Sequence, residues 1–262
     1  LVYCWRGGQR SGALATVLSQ IGFRVRLLEG GYRAWRRAVV EALATLPATF
    51  DLRVICGPTG SGKSRLLARL ASHGEQVLDL ESLANHRGSV LGLVPGSRQP
   101  GQKAFDSRIW EALRALDPAR PVFVESESRK IGNLRVPETL VERMRGSPCL
   151  WLELPLAARV ALLTRDYDFF VEDTAAFCER LDALRTLRGA ALVESWQEAA
   201  RAGRTAEVVQ ALLESHYDPI YRHSMQKNFP ALAQPAQVIS WDGSDASLEV
   251  AARSVGAGID AP

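Results

Sequence analysis

The stretch LRVICGPTGSGKS, residues 52–64, decides the fold of this chain. It opens with an apolar run, continues as a glycine-rich loop that ends in Gly62-Lys63-Ser64, and leads into an amphipathic stretch. Strand, loop and helix in this order match the phosphate-binding pattern Gly, any four residues, Gly-Lys-Ser/Thr. Loop N–H groups and a helix N-terminus both favour phosphate oxygens. A glycine-rich turn with a chance lysine is the alternative, and the complete pattern in context favours phosphate binding.

The residues of this loop form the predicted phosphate-binding set. The Lys63 ammonium is expected to reach the terminal phosphate, and the Ser64 hydroxyl to reach a magnesium ion if one is used. What molecule carries the phosphate does not follow from the loop. The set comprises Gly57, Pro58, Thr59, Gly60, Ser61, Gly62, Lys63 and Ser64.

Five strand-like runs separated by helical segments predict an α/β fold, with a mostly parallel five-stranded sheet covered on both faces. We expect this P-loop domain to occupy residues 47–262, to begin with a short linker at 47–51 and to carry a helical insertion at about 155–216. The runs are Leu52–Cys56, Gln76–Leu80, Pro121–Glu125, Cys149–Glu153 and Gln237–Trp241.

Several charged residues fall at the carboxyl ends of these runs, where ligands gather in such sheets. Asp79 and Glu125 close the second and third runs, and we predict that they orient magnesium or its water. Arg87 and Arg129 lie in the loops that follow and are candidate contacts for a phosphate or a leaving group. Each of the four residues could instead be a helix cap or a solvated loop charge.

The predicted insertion is rich in arginine and is followed by the stretch YDPIYRHS, residues 217–224, where aromatic and basic residues alternate. Such a pattern can stack on and grip single-stranded nucleic acid. A helix edge with solvated arginines explains the same residues, and the sequence alone favours that second interpretation. The arginines are Arg180, Arg185, Arg188, Arg201 and Arg204.

Cys4 lies in an unusual setting within the first 46 residues, because it opens a Gly/Arg-rich loop directly before a helical stretch. A helix N-terminus, inward N–H groups and the cations Arg6 and Arg10 would all lower a thiol pKa, so Cys4 is predicted to be a nucleophilic thiolate. An incidental exposed cysteine is the alternative. The other cysteines show no Cys-x-x-Cys spacing and the histidines do not cluster near them, so we predict no metal-binding cluster.

The composition is that of an ordinary globular chain. The 262 residues carry a formal net charge of +3 and 47% hydrophobic residues. No apolar run is long enough to span a bilayer and no signal peptide opens the chain, so we predict a cytoplasmic protein that does not bind membranes.

The N-terminal stretch resembles the active-site end of a rhodanese domain. The resemblance rests on the loop that runs from Cys4 to Arg10-Ser11, and on LEGG at 28–31 followed by Trp35. It implies that residues 1–46 are the C-terminal part of a rhodanese-like α/β domain, whose cysteine carries sulfur as a persulfide. Because the chain starts at Leu1 and holds only the last part of such a domain, we expect either a fragment of a longer protein or a disabled remnant at Cys4.

The two halves together resemble the bacterial tRNA 2-selenouridine synthase family, truncated at the N-terminus. That family replaces the sulfur of 2-thiouridine at the tRNA wobble position with selenium. The cysteine loop followed by this phosphate loop and the Glu-Ser-Glu-Ser run is more specific than the phosphate loop alone. The matching stretches are YCWRGGQRS at 3–11, EGGY at 29–32 with Trp35, the loop at 57–64, DLE at 79–81 with HRG at 86–88, and ESESRKIG at 125–132.

The resemblance implies two steps on one tRNA base. Geranyl diphosphate first places a geranyl group on the thio sulfur, and selenium from selenophosphate then displaces the geranylthio group. Lys63 and the loop would stabilise the departing diphosphate, and Cys4 would carry selenium as a selenenylsulfide, by analogy with the rhodanese persulfide. The implied co-substrates are geranyl diphosphate and selenophosphate, with Mg²⁺ optional. The implied partners are tRNA and an enzyme that supplies selenophosphate.

Two other functions stay open on the residues. A small-molecule or nucleoside kinase, or an ATPase, would use the same loop and sheet and would leave Cys4 without a role. Measuring ATP turnover without tRNA would separate that function from the synthase. A tRNA-binding remnant with an inactive truncated rhodanese part is the third hypothesis, and the start at Leu1 is its main support.

Overall fold

The computed structural model describes residues 1–86, 98–167 and 173–257. Its strands are β1 Leu52–Cys56, β2 Gln76–Leu78, β3 Val122–Glu125, β4 Lys130–Ile131, β5 Leu134–Arg135, β6 Cys149–Glu153 and β7 Gln237–Ser240. Its helices are α1 Gln9–Gln20, α2 Gly31–Leu43, α3 Lys63–Ser72, α4 Leu80–Ala84, α5 Gln102–Arg114, α6 Glu138–Arg145, α7 Leu156–Asp166, α8 Thr174–Asp182, α9 Arg185–Arg188, α10 Ala190–Arg201, α11 Thr205–Leu212, α12 Asp218–Asn228 and α13 Asp245–Ala257. Short 3₁₀ turns cover Leu46–Thr49 and Pro230–Ala233, and a π-helical turn covers Leu213–Tyr217.

The main sheet has five parallel strands in the order β2-β3-β1-β6-β7. This confirms the predicted α/β fold, since each of the five strand-like runs contributes one strand. The second run, predicted as Gln76–Leu80, ends at Leu78 because Asp79 becomes the N-cap of α4. There the Asp79 carboxylate accepts a hydrogen bond of 2.8 Å from the Ser82 N–H, which satisfies an N–H that the helix itself leaves unpaired.

Strand β1 lies at the centre of the sheet and separates two apolar layers. Alternate side chains of a strand point to opposite faces. Leu52, Val54 and Cys56 accordingly belong to one buried cluster, which also contains residues of α5 and α6. Ile55 belongs to the other cluster, together with residues of α3 and α13. The phosphate loop therefore leaves the sheet from its central strand.

The stretch 47–51, predicted as a linker, is packed into the first of these layers. Pro47 and Phe50 are buried, and the Phe50 carbonyl accepts hydrogen bonds of 2.9 and 2.7 Å from the Arg143 guanidinium of α6. Val39 and Leu43 of α2 lie in the same apolar cluster as Phe50. Helix α2 thus shares its core with the sheet, and the division between residues 46 and 47 stays a prediction.

The first residues form little regular structure besides α1. Val2 and Leu27 pair as an isolated parallel bridge, and several apolar side chains of α1 and the turn after it are more than half exposed, among them Val17 and Phe23. The rhodanese-like architecture of residues 1–46 stays a prediction from the sequence.

The described part of the insertion is helical, as predicted. Helices α8, α10 and α11 enclose an apolar cluster of their own, which includes Phe177, Trp196 and Leu212. Helix α11 also packs against α7, the first helix of the insertion. Across residues 1–86, 98–167 and 173–257, no helix combines the length and the apolar character that crossing a membrane requires.

Candidate active site

The phosphate loop connects β1 to α3 and packs against Trp241 and Leu163. Gly60 and Gly62 adopt φ angles of +77° and +90°, a region that side chains with a Cβ disfavour. Neighbouring side chains also exclude larger residues at these two positions. A Cβ on Gly62 would lie 2.3 Å from Cζ2 of Trp241, and one on Gly60 would lie 2.7 Å from Cδ1 of Leu163. The Trp241 indole also donates a hydrogen bond of 2.8 Å to the Ser61 carbonyl. The predicted strand, loop and helix are confirmed.

Lys63 folds its side chain back over the loop. Its Nζ donates a hydrogen bond of 2.8 Å to the Gly57 carbonyl and lies 5.4 Å from the centroid of the Tyr221 ring. An ammonium above the face of an aromatic ring is electrostatically favoured. These contacts keep the positive charge at the mouth of the loop, where a phosphate group would be bound.

Tyr221 contacts the phosphate loop, although the sequence placed it in a stretch that could bind nucleic acid. Its hydroxyl accepts a hydrogen bond of 2.8 Å from the Gly57 N–H and lies 3.1 Å from the Ser126 hydroxyl. Burial raises the pKa of Tyr221 above its ordinary value, so the phenol keeps its proton at neutral pH. In the stretch 217–224, Tyr221 therefore supports the phosphate loop. Arg222 and His223, which follow it, are exposed.

The arginines predicted as a nucleic-acid face mostly have partners inside the chain. Arg185 pairs with Asp182 and Glu194, and Arg188 donates a hydrogen bond of 2.9 Å to Nδ1 of His216. Arg204 forms an ion pair with its helix neighbour Glu207. Arg180 and Arg201 are exposed. These contacts favour the interpretation of a helix edge with solvated arginines.

Glu81 is the carboxylate closest to the loop serine. The Ser64 hydroxyl donates a hydrogen bond of 2.9 Å to Oε2 of Glu81. The Glu81 N–H in turn donates one of 2.8 Å to Oε1 of Glu125, a buried side chain whose other oxygen has no hydrogen-bond partner among the described residues. Asp79 and Glu125, predicted to orient magnesium, are thus a helix cap and a buried anchor for the Glu81 backbone. The carboxylate that faces Ser64 was not among the predicted site residues.

The crowding of carboxylates at this strand edge changes their protonation. Burial is the main cause that raises the pKa of Glu125 well above its ordinary value, and the charge of Asp79 adds to it. Desolvation, followed by the charge of Glu81, raises the pKa of Glu127 to about 8. At neutral pH part of this cluster therefore holds protons, which limits the negative charge that an incoming phosphate group would meet.

Ser64 and Glu81 offer the hydroxyl and carboxylate oxygens that magnesium takes in proteins. In residues 1–86, 98–167 and 173–257, no group of three His, Cys, Asp or Glu side chains is arranged to hold a metal ion. A magnesium ion at Ser64 would therefore need phosphate oxygens and water as its other ligands, and its involvement stays a prediction.

Arg129, one of the two arginines predicted to contact phosphate, does not line this site. Arg129 is exposed and forms an ion pair of 2.7 Å with the equally exposed Glu138 at the start of α6, and it is absent from the lining of the cleft described below. Arg87 lies outside the described residues.

A buried arginine supports the loop from the insertion side. Arg159 of α7 donates a hydrogen bond of 2.9 Å from Nε to the Thr59 carbonyl. Its two terminal nitrogens bind the Asp218 carboxylate of α12 at 2.9 and 2.6 Å. Sequence reasoning missed this residue, although an arginine at a buried position in the apolar helix Leu156–Asp166 was a signal that could have been followed.

Replacing Arg159 with methionine should destabilise the fold by about 3 kcal/mol, because it leaves the Asp218 carboxylate and the Thr59 carbonyl without their donor. Chemical denaturation measures the change in the free energy of unfolding. Arg253→Met is the matched control, since its partner Glu249 is one helical turn away and Arg253 is 73% exposed; it should cost less than about 1 kcal/mol. Equal losses in the two variants would contradict the supporting role of Arg159.

A cleft of about 1050 Å³ opens above the loop, between α3, α7, the π-helical turn and α12. Its floor is polar and includes Lys63, Ser64, Glu81 and Glu127. Its lining also includes apolar and aromatic side chains, among them Leu163, Tyr167, Ile220, Met225 and Phe229. The cleft can therefore receive a molecule that joins a phosphate group to an apolar part. None of the described residues that line it comes from 1–46.

Cys4 forms a second, separate site. Its Sγ accepts a hydrogen bond of 3.2 Å from the Gly8 N–H and another of 3.2 Å from the Ser11 hydroxyl. These bonds, with that from Ser11 the largest cause, lower the pKa of the Cys4 thiol to about 6. Arg6 contributes through its backbone N–H, and the side chains of Arg6 and Arg10 are exposed. The thiolate is thus held by the loop and the start of α1.

Close backbone contact with the Gly-Gly-Tyr stretch fixes the Cys4 loop. A Cβ on Gly31 would lie 2.2 Å from the Cys4 carbonyl and 2.3 Å from the Gly7 nitrogen, so only glycine fits there. The Tyr32 N–H donates a hydrogen bond of 3.0 Å to the Cys4 carbonyl. The Tyr32 ring stacks on Trp5 with a centroid distance of 5.1 Å.

Replacing Ser11 with alanine should raise the pKa of Cys4, because it removes the largest stabilising contact of the thiolate. The rate of alkylation by iodoacetamide reports the thiolate fraction as a function of pH. In the unmodified chain the rate should rise to a plateau with a midpoint near pH 6, and in Ser11→Ala the midpoint should move to higher pH. Ser19→Ala, on the same helix, is the control and should leave the midpoint unchanged. An unchanged midpoint in Ser11→Ala would contradict the role of Ser11 in lowering the pKa of Cys4.

Comparisons with known proteins give a consistent result. A family model for the "tRNA 2-selenouridine synthase AAA domain" matches residues 50–183. The chain is 32% identical over 254 residues to tRNA 2-selenouridine synthase of Alcanivorax borkumensis, which covers 86% of this chain and 69% of that protein. It is also 32% identical over 280 residues to the enzyme of the same name from Marinobacter nauticus, with coverages of 94% and 74%.

A shorter alignment is closer in sequence, and a solved structure is more distant. The tRNA 2-selenouridine synthase of Nitrosomonas europaea is 38% identical over 172 residues, or 64% of this chain and 44% of that protein. Shikimate kinase from Acinetobacter baumannii in complex with shikimate aligns over 84% of this chain and 96% of its own, with 16% identity and a TM-score of 0.38, which is too low to support a conclusion about this chain. The sequence relatives confirm the predicted resemblance, and the chain belongs to the tRNA 2-selenouridine synthase family.

Proposed function

We propose that this protein converts 2-thiouridine at the tRNA wobble position to 2-selenouridine in two steps, a geranylation followed by a selenium exchange. The single observation that carries the proposal is the phosphate loop with Lys63, which opens into a cleft that is lined in part by apolar and aromatic side chains. A diphosphate ester with a hydrocarbon chain matches both parts. The family membership favours this function over that of a kinase or an ATPase.

The first step is a substitution at the first carbon of geranyl diphosphate. The thio sulfur of the base attacks this carbon, the carbon–oxygen bond breaks, and diphosphate leaves with the electron pair. The base loses one proton, and the product is a geranylthio nucleoside. Loop N–H groups and Lys63 bind the charge that develops on the leaving oxygen, which is the kind of preorganised stabilisation that accelerates such steps.

The second step exchanges sulfur for selenium at the same base carbon. The Cys4 thiolate attacks the carbon, and the geranylthiolate leaves and takes up a proton. The selenium of selenophosphate then attacks the same carbon, and the Cys4 thiolate leaves. Water then cleaves the phosphorus–selenium bond and releases phosphate. S-alkylation prepares this step, because it turns a poor thiocarbonyl leaving group into a thiolate. We assign Cys4 to the selenium step, since its lowered pKa provides a nucleophile at neutral pH.

The proposal implies particular partners. A tRNA with wobble 2-thiouridine is the substrate, and an enzyme that makes selenophosphate supplies the selenium. We place the protein and both partners in the cytoplasm.

Mass spectrometry of nucleosides tests the proposal. The purified chain is incubated with thiolated tRNA and geranyl diphosphate, and then with selenophosphate, and the tRNA is digested after each stage. We expect the geranylthio nucleoside after the first stage and the selenonucleoside after the second. No modified nucleoside at either stage, together with tRNA-independent ATP turnover, would overturn the proposal in favour of a kinase or an ATPase.

A further inference from the structure

We infer that a small apolar chamber beside the phosphate loop receives the far end of the hydrocarbon chain of the diphosphate ester and selects its length. This inference rests on the proposed function and adds to it the residues that would discriminate between donors. The chamber lies between α7, α8, α11 and the π-helical turn and has a volume of about 50 Å³.

The chamber adjoins the cleft above the loop. Thr59 of the loop lines both spaces, and so do Leu163, Tyr167 and Tyr217. A ligand whose diphosphate is bound by the loop would therefore enter the chamber past Leu163. Because Thr59 is itself held by Arg159 through its carbonyl at 2.9 Å, the entrance has a fixed position relative to the loop.

The lining of the chamber favours hydrocarbon. Phe177, Val209, Leu212 and Leu213 form most of its inner wall, and Phe177, Leu212 and Leu213 are buried. The ribose and base of a nucleotide carry polar groups that need hydrogen-bond partners when they leave water. The polar side-chain groups of the lining are hydroxyls, and none of its residues carries a charge. Thr164, at its edge, offers a buried hydroxyl that has no partner in the part of the chain that the structure describes.

The size of the chamber sets an upper limit on the chain. A volume of about 50 Å³ is about a third of the roughly 150 Å³ cavity that holds benzene, so the chamber has space for no more than the terminal methyl groups of a prenyl chain. With the diphosphate on the loop, the two isoprene units of geranyl diphosphate would lie along Leu163 and place these methyl groups in the chamber. Dimethylallyl diphosphate is too short to reach it, and farnesyl diphosphate has a third unit without space.

Variants of Val209 test this assignment, because this half-buried residue of α11 lines the chamber and tolerates changes better than the buried core. The chain and thiolated tRNA are supplied with equal amounts of dimethylallyl, geranyl and farnesyl diphosphate, and the prenylthio nucleosides are quantified by mass spectrometry. Val209→Trp should lower the ratio of geranyl to dimethylallyl product at least about tenfold, as expected for filling an apolar pocket. Val209→Ala should raise the share of farnesyl product.

Val238→Trp is the matched control, since Val238 lies on the edge strand β7 and is 53% exposed. It should keep the product ratios of the unmodified chain. Unchanged ratios in both Val209 variants, or an equal loss with all three donors in Val209→Trp, would overturn the chamber assignment while the unmodified chain still transfers geranyl. Failure of the unmodified chain to transfer any prenyl group would instead overturn the proposed function, and the chamber assignment with it.

Discussion

Replacing Lys63 with alanine is expected to reduce geranyl transfer by about a hundredfold or more, the effect typical of losing one charged or hydrogen-bonding group from a site that stabilises a leaving anion. The Lys63 ammonium is held at the mouth of the loop by the Gly57 carbonyl at 2.8 Å and by the Tyr221 ring. It therefore needs little reorganisation to meet a diphosphate. The initial rate of formation of the geranylthio nucleoside, measured by mass spectrometry, reports the loss.

The matched control for Lys63 is Lys130→Ala. Lys130 is an exposed residue of the short strand β4 and does not line the cleft. Its replacement should leave the rate unchanged. Melting curves of both variants show whether the fold is kept. A rate for Lys63→Ala within a few-fold of the unmodified chain, with the fold intact, would mean that the loop amides alone bind the diphosphate.

Replacing Cys4 with serine is expected to block selenium incorporation and to leave geranylation intact. The thiol has a pKa of about 6 and is a thiolate at neutral pH. A serine hydroxyl in the same place stays protonated and is a weak nucleophile. Geranylation should survive because no residue of 1–46 is among the described residues that line the cleft. Both products are quantified in one assay that supplies geranyl diphosphate and selenophosphate in succession.

Cys178→Ala is the control for Cys4→Ser. Cys178 is buried in the apolar cluster of the insertion, so its thiol is shielded from substrates and both steps should continue. Loss of both steps in Cys4→Ser would contradict separate roles for the two sites. Full selenium incorporation in Cys4→Ser would remove Cys4 from the mechanism.

Local patterns in the sequence predict the sheet and the loop well, because both depend on neighbours in the chain. The five strand-like runs all form strands, and the loop glycines adopt the conformations that the phosphate-binding pattern requires. Tyr221 and Arg159 could not be placed in the same way. They contact the loop across 164 and 100 positions of sequence, and only the packing of α7 and α12 brings them there.

The sequence also does not predict which way the side chains at the strand ends point. Asp79 and Glu81 both close the second strand-like run, and the sequence does not show which of them faces the loop. In the structure the chain turns into α4 directly after Leu78. This turn uses Asp79 as the helix cap and places Glu81 beside Ser64. Both residues line the cleft, but Glu81 carries the carboxylate that binds Ser64.

The burial of Val39 and Leu43 beside Phe50 has a practical consequence for anyone who wishes to express the phosphate-loop half by itself. A variant that starts at residue 47, the predicted domain boundary, would lack the side chains of Val39 and Leu43 and would expose the apolar cluster that they cover. It would also remove the Leu43 carbonyl that the Thr139 hydroxyl binds at 2.6 Å. We expect this shortened protein to aggregate. A variant that starts before Gly31 keeps α2, and with it Val39 and Leu43.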